Sequence, residues 1–178
     1  MSSVILSSQQ ISRAITRIAH EILEKNAGCD NLALVGIRTR GVPFAKRLQA
    51  KIKAFEGVTL QLGILDITLY RDDIQTGIAL PELKSTEIPF PIEETKIVLC
   101  DDVLFTGRTI RAAIDALMDF GRPAGVQLAT LIDRGHRELP IRPDFVGKNI
   151  PTSKSQIVKV KLKGEDEEDQ VILVEKAI

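Results

Sequence analysis

Tryptophan is absent, tyrosine occurs once, and the 178 residues include only two cysteines and two histidines. Each scarcity excludes something. Cys29 and Cys100 cannot build a disulfide framework, and with so few histidines a Cys/His metal site is not expected. That usage suits a reducing, cytoplasmic protein. No run of about 18 apolar residues occurs, so no membrane-spanning helix is expected. The opening MSSVILSSQQ carries no positive charge and a three-residue apolar run, which is not the pattern of a secretory signal. Neither sign of charge is in excess, with 24 Lys and Arg against 24 Asp and Glu, which argues against a generally basic nucleic-acid binder.

The 44% of hydrophobic residues and 27% of charged ones are those of an ordinary globular chain. The length suits one domain over residues 1–178 with a single core and no linker. Charge is nevertheless segregated. Residues 1–53 hold nine Lys or Arg against three Asp or Glu, and residues 134–163 hold eight against two. Residues 54–133 are acidic by seven and the tail from Gly164 by five. Two basic segments could form one positive face if the fold joins them; a patchy solvated surface is the plainer alternative.

Ser7 and Gln10 have the spacing of a capping box, and Ile11, Ile15, Ile18, Ile22 and Leu23 then recur at helical spacing up to Asn26-Ala27-Gly28. Arg13, Arg17 and His20 share one flank of that helix. LALVGI (32–37), KIVLC (96–100) and VQLATLI (126–132) are continuously apolar strands; a helix with Pro43 near its start follows the first, and a helix over Thr109 to Phe120 the second. VTLQLGILDITL (58–69) alternates as one or two strands. Residues of about 70–94 lose periodicity and gather Pro81, Pro89 and Pro91, the mark of a functional loop or lid. PDFVGKNI, QIVKVKLK and VILVEK are late strands, the last two joined by an acidic turn, and they are expected to form a small antiparallel addition. The alternation predicts an α/β fold: a mostly parallel central sheet flanked by helices.

Ligands in such sheets bind beyond the carboxyl ends of the strands. Three charged loops stand there: Arg38 to Gly41, Asp101 to Thr109, and Asp133 to His136. In the second, IVLCDDVLFTGRT, two adjacent carboxylates follow an apolar run. Like charges in contact need compensation by a metal, a set of hydroxyls or a cation. Phe105-Thr106-Gly107-Arg108-Thr109 leads into a helix, and its glycine, hydroxyls and helix N-terminal amides suit a phosphate; a simple threonine helix cap is the alternative. The loop is neither a Walker A sequence nor a G-x-G-x-x-G turn. Carboxylates beside a phosphate cradle suit a phosphosugar, with acids on ribose hydroxyls, and also suit Mg²⁺.

VLCDDVLFTGRT resembles the phosphoribosyl-pyrophosphate (PRPP) motif of type I phosphoribosyltransferases. With TRIAHEI (16–22), LVGIRTRG (34–41), DITLYRDD (66–73) and DRGHRELPIRPDFVGKNIPTSKS (133–155), the chain resembles the PyrR family over nearly its whole length. That family comprises pyrimidine-operon attenuation regulators that are also uracil phosphoribosyltransferases. The resemblance implies that uracil and PRPP give UMP and pyrophosphate with Mg²⁺ as cofactor, held through PRPP beside Asp101 and Asp102 and not in a dedicated protein cage. Asp101 and Asp102 would hold the ribose diol and Thr106, Gly107, Arg108 and Thr109 the 5′-phosphate, with Val103, Leu104 and Phe105 also in the PRPP-binding site. Thr39, Arg40 and Gly41 would meet pyrophosphate. The irregular region resembles the hood of type I enzymes, with Arg71 reaching pyrophosphate and Asp72 and Asp73 solvated. Arg134 and the backbone near Ile157 and Val158 are assigned to the uracil pocket, with plain strand core as the alternative for the last two.

The same resemblance implies binding of a pyrimidine-leader mRNA hairpin in the presence of UMP or UTP, through Thr16, Arg17 and His20, with Arg137, Arg142, Lys148 and Lys154 as companions. A homodimer or larger assembly is implied. A salvage enzyme without RNA regulation, for uracil or a purine base, is the other reading. Cys100 and Phe105 depart from the Val and Tyr commoner in the family; each keeps an apolar shape.

Overall fold

The computed structural model describes residues 2–72 and 85–175. A first strand, β1 (Ser2–Leu6), precedes α1 (Ser8–Asn26), β2 (Leu32–Ile37), α2 (Gly41–Glu56) and β3 (Gln61–Leu65). A single 3-10 turn (Thr68–Tyr70) follows, then β4 (Lys96–Leu104), α3 (Arg108–Met118), β5 (Gly125–Asp133), β6 (Phe145–Asn149), β7 (Gln156–Lys161) and β8 (Gln170–Glu175).

The helices begin and end as their sequences dictate. Ser7 caps α1, its Oγ accepting from Gln10 N–H while Gln10 Oε1 accepts from Ser7 N–H, the full capping box. Ala27, in the left-handed region, closes the helix, and Gly28 N–H reaches back to Leu23 O. Between these ends Ile11, Ile15, Ile18 and Ile22 are fully buried, each contributing about 1.5–3 kcal/mol.

Five strands form a wholly parallel sheet in the order β3-β2-β4-β5-β6. The chain steps outward from β2 to β3, then returns to lay β4 on the other side of β2. Between β2 and β4 the order therefore reverses, which opens a crevice at their carboxyl ends. One core, containing the α1 isoleucines, Phe44 and Leu48, covers one face of the sheet. The other, with Ile110, Ala113 and Leu117 of α3, covers the opposite face. No helix among the described residues is long and apolar enough to cross a membrane.

Four local expectations need correction. β6, read as part of the antiparallel addition, pairs parallel with β5 in the main sheet. The antiparallel sheet instead recruits β1, in the order β1-β8-β7, because Val4 and Leu6 find apolar partners on β8 in Ile172 and Val171. Strand β4 does not stop at Cys100; it runs through both aspartates to Leu104, held by β5 as far as Asp133. Only Gln61–Leu65 of the 58–69 segment is strand, since Asp66 turns the chain by accepting from Thr68 N–H at 2.9 Å. Of the region expected as a hood, residues 73–84, including Asp73, lie outside the described residues. Its far end is tied down, with Glu87 and Ile64 exchanging two backbone hydrogen bonds and Ile92 buried.

Candidate active site

Arg38 to Arg40 cross the gap between β2 and α2, and two glycines let them lie close to the sheet. A Cβ on Gly41 would stand 2.3 Å from Cys100 O, and one on Gly36 would stand 2.7 Å from Val42 Cα. Both approaches are possible only without a side chain. The Arg38–Thr39 peptide bond is cis. Arg38 donates from Nε and Nη2 to Ser85 O, so this loop also grips the far root of the hood. Arg40, at the start of α2, is held by Asp166 through two bonds of 2.9 and 2.8 Å.

Asp101 and Asp102 sit where β4 nears its end. Asp101 is 6% exposed and pairs in register with Thr130 of β5. Its Oδ1 accepts from Asp102 N–H, and Asp102 Oδ1 from Val103 N–H, at 3.0 and 2.9 Å. Burial, and then the charge of Asp102, pushes the Asp101 carboxyl well above the usual range. Burial also raises Asp102, against a lowering pull that includes Arg40. One buried and one half-buried carboxylate with so few donors are suited to hydroxyl groups or a cation arriving with a ligand. Among the described residues no cluster of three or more His, Cys, Asp or Glu side chains could hold a metal ion by itself.

The loop after β4 is fixed through its carbonyls. Leu104 O accepts from Arg134 N–H, Phe105 O from Arg137 Nη1, and Thr106 O from the N–H groups of Glu138 and Leu139. Gly107 takes a φ of 94°, which turns the chain into α3, and a Cβ added there would stand 3.4 Å from the Ile141 side chain. Thr106 Oγ1 accepts from Arg108 N–H, an ST turn, and no side chain caps α3 by the usual Ncap bond. The first-turn amides of α3 keep the partial positive charge that favours an anion. Arg108 bridges Glu138 and Asp72 at 2.7 and 2.6 Å.

Two adjoining cavities result. One of about 380 Å³ is walled by Arg38, Thr39, Arg40, Asp66, Thr68, Asp101 and Asp102. The other, of about 440 Å³, runs from Phe105 to Ile110, closed by Asp72 and Glu138. Arg71, Val103 and Thr109 line both. A ligand with anionic groups some distance apart on a polyhydroxyl centre fits this division.

Expected site residues of the first two loops thus line these cavities, whereas Arg134 of the third lines neither and reaches them only through Phe105. Arg134 is buried, its guanidinium 4.0 Å above the Phe105 ring and bonded to Thr152 Oγ1 and Ser153 O. His136 meets the same ring edge-on. Val158, assigned to the base pocket, turns its side chain into the main core and its backbone into the ladder with Leu173; it lines neither cavity. Arg137, assigned to an RNA face, spends its guanidinium on Ile141 O, Phe105 O and Asp133, because that loop needs donors for its inward carbonyls.

On α1, Thr16 bonds back to Ser12 O, and Arg17 donates to Glu21 and to the carbonyls of Val146 and Gly147 on β6. His20 stacks on Phe55 at 4.0 Å. Thr16, Arg17 and His20 line a shallow depression with Arg13. Arg142, Lys148 and Lys154 are exposed. Sequence reasoning missed Asp66, Thr68 and Asp166. Asp66 and Thr68 stood in the quoted DITLYRDD segment, just past a strand end, whereas Asp166 gave no signal within its acidic turn.

A parallel sheet with this crevice and a strand-borne acidic pair between two glycine-bearing loops is the arrangement of a phosphoribosyltransferase. The family model described as phosphoribosyl transferase domain matches residues 1–165. Among solved structures, the hypoxanthine phosphoribosyltransferase of Trypanosoma cruzi superposes with a TM-score of 0.73 at 17% identity, covering 98% of this chain and 97% of that one. A hypoxanthine phosphoribosyltransferase from Staphylococcus aureus gives 0.70 at 21% identity, covering 95% and 90%. At such identities these share the fold.

Sequence relatives are much nearer. The Bifunctional protein PyrR of Acetivibrio thermocellus is 66% identical over 158 residues, 89% of this chain and 86% of that protein. That of Deinococcus radiodurans is 57% identical over 171 residues, 96% and 93% of the two. The chain belongs to the PyrR family of phosphoribosyltransferases.

Proposed function

We propose that the protein makes UMP and pyrophosphate from uracil and PRPP, and that it regulates pyrimidine genes by binding their leader mRNA when UMP or UTP is bound. The observation that carries the enzymatic half is the acidic pair lying between two anion loops. Uracil N1 forms a bond to C1′ of the ribose as the bond from C1′ to pyrophosphate breaks, the bonding pair leaving with pyrophosphate and the N1 proton passing to solvent. Asp101 and Asp102 accept hydrogen bonds from the ribose hydroxyls and stabilise positive charge developing on the sugar. The α3 amides with Thr106 and Thr109 hold the 5′-phosphate. Thr39, Arg40, Gly41 and Arg71 hold the leaving group, so positioning and fixed charge do the catalytic work.

Mg²⁺ fits beside the buried, donor-poor pair, where it would be held by PRPP oxygens next to Asp101 and Asp102 and would neutralise the departing pyrophosphate. Arg134 acts in the base pocket by fixing the Phe105 ring, with backbone near Ile157 supplying the pyrimidine contacts. The RNA face comprises Thr16, Arg17 and His20 with Arg142, Lys148 and Lys154, while Arg137 shapes the loop that carries Arg142. The protein works as a homodimer or larger assembly in the cytoplasm.

The engagement of Arg17 and Arg137 within the fold favours one second reading, a salvage enzyme that does not bind RNA. Purified protein with uracil, PRPP and Mg²⁺ is expected to release UMP, and Asp101→Asn with Asp102→Asn to lower turnover by about a hundredfold or more. Retained turnover in the folded double variant would refute the diol role. Filter binding of a pyrimidine-leader hairpin, strengthened by UMP, separates regulator from salvage enzyme.

A further inference from the structure

Arg40 is one of the groups proposed above to meet pyrophosphate, yet its two hydrogen bonds run to a residue 126 positions away. Asp166 Oδ2 accepts from Arg40 Nε at 2.9 Å and Oδ1 from Nη2 at 2.8 Å, the fork-on-fork geometry of a guanidinium and a carboxylate. Such a pair fixes the plane of the guanidinium, not merely its distance. It occupies one edge only. Nη1 has no hydrogen-bond partner among the described residues, and Arg40 lines the cavity that holds Asp101 and Asp102.

The carboxylate is itself anchored. Asp166 Oδ2 also accepts from Leu162 N–H at 2.8 Å, and the Asp166 side chain is 15% exposed. Seven residues further along α2, Arg47 makes a second two-bond pair with Asp169, at 2.9 and 2.7 Å. Asp169 in turn accepts from Lys163 N–H. The β7–β8 turn is therefore pinned to α2 at two points, of which only Asp166 touches a residue of the cavity. A surface ion pair made by chance has neither the second anchor nor the backbone support.

We infer that Asp166 is a positioning residue for PRPP: it holds one edge of Arg40 so that the opposite edge is set toward the pyrophosphate group before substrate arrives. This rests on the phosphoribosyltransferase reading of the cavity. Asp166 touches no reacting atom and acts only through Arg40.

The test compares wild type, Asp166→Asn and Asp169→Asn, each alone and with Arg40→Ala. Asp166→Asn is expected to raise the KM for PRPP about tenfold, leaving the KM for uracil unchanged. Asp169→Asn loosens the same turn without touching Arg40 and is expected to keep the wild-type KM for PRPP. In the Arg40→Ala background, Asp166→Asn should add nothing. Asp166→Glu, which keeps the charge but displaces it by one methylene, should fall between wild type and Asn, and decides the matter if the Asn variant does not fold.

Equal effects of Asp166→Asn and Asp169→Asn would reduce the residue to a structural one and overturn the inference. So would an undiminished effect in the Arg40→Ala background, or a wild-type KM in Asp166→Glu. A KM for PRPP that falls in Asp166→Asn would show a carboxylate competing with substrate, and overturns it equally. Should the wild type make no UMP, the enzymatic reading fails, and PRPP affinity by calorimetry in the same proteins decides the role of Asp166 separately.

Discussion

Arg137 Nη1 donates to Phe105 O at 2.8 Å, which buckles the loop after β5 onto the loop after β4. The same guanidinium reaches Ile141 O and Asp133, so one side chain secures three separate points. Arg137→Ala is expected to cost about 2–3 kcal/mol in chemical unfolding and to raise the KM for PRPP, since the phosphate loop loses its brace. An unchanged KM with reduced stability would restrict the brace to folding.

Gly41 admits no side chain. A methyl group there meets Cys100 O at 2.3 Å, and neither partner is the flexible end of a side chain. Gly41→Ala should destabilise by about 1–3 kcal/mol or displace the loop from the crevice, lowering affinity for PRPP. Gly125→Ala, in open space, serves as the neutral comparison.

The two acidic clusters make opposite contributions to stability with pH. Asp101 and Asp102 have raised carboxyls, so the folded protein binds more protons than the unfolded chain between their ordinary value of 3.8 and the raised ones. Stability falls as pH rises through that window. Asp101→Asn should therefore melt higher than wild type at neutral pH, with the advantage shrinking toward pH 4, while losing activity. Asp166 and Asp169 are lowered by their hydrogen bonds to Arg40 and Arg47, so their contribution is present above 3.8 and lost as pH falls through the lowered values. Melting curves of Asp101→Asn and Asp169→Asn across pH should diverge in these two directions.

Arg17 is a poor probe of the RNA face, because its bonds to Val146 and Gly147 join α1 to β6. Lys148→Ala, an exposed position on β6, avoids that. It should weaken binding of a pyrimidine-leader hairpin and reduce the salt slope by about one unit, with UMP synthesis unaffected. A hairpin affinity equal to wild type would remove Lys148 from the contact.

Local signals carried much of the architecture. The capping box at Ser7 and the unbroken apolar run of β2 marked their elements because the forces that form them act within a few residues. The acidic pair and TGRT marked the crevice for the same reason: a cluster of chemistry follows a buried strand. What stayed hidden depends on distant partners. Ser2–Leu6 is too short to declare itself as a strand without β8 beside it, and Phe145–Asn149 gives no hint of parallel pairing with β5. The acidic turn read only as a connection between two strands, since nothing in Glu165-Asp166-Glu167 names the arginine that Asp166 holds. Val158 illustrates the converse: the resemblance points only at the backbone there, and the alternation of β7 turns the side chain into the core, as its apolar character alone would have it.

The pairing of β1 with β8 sets a schedule on synthesis. Ser2 lies opposite Val174, and Arg40 meets its carboxylate only at Asp166. A ribosome that has made the first hundred and fifty residues has synthesised every strand of the parallel sheet, yet neither the partner of its first strand nor the clamp on Arg40 exists. The molecule can acquire its body early, but the clamp on Arg40 forms only with its final hairpin, so a prematurely ended chain would carry the crevice without the fixed guanidinium.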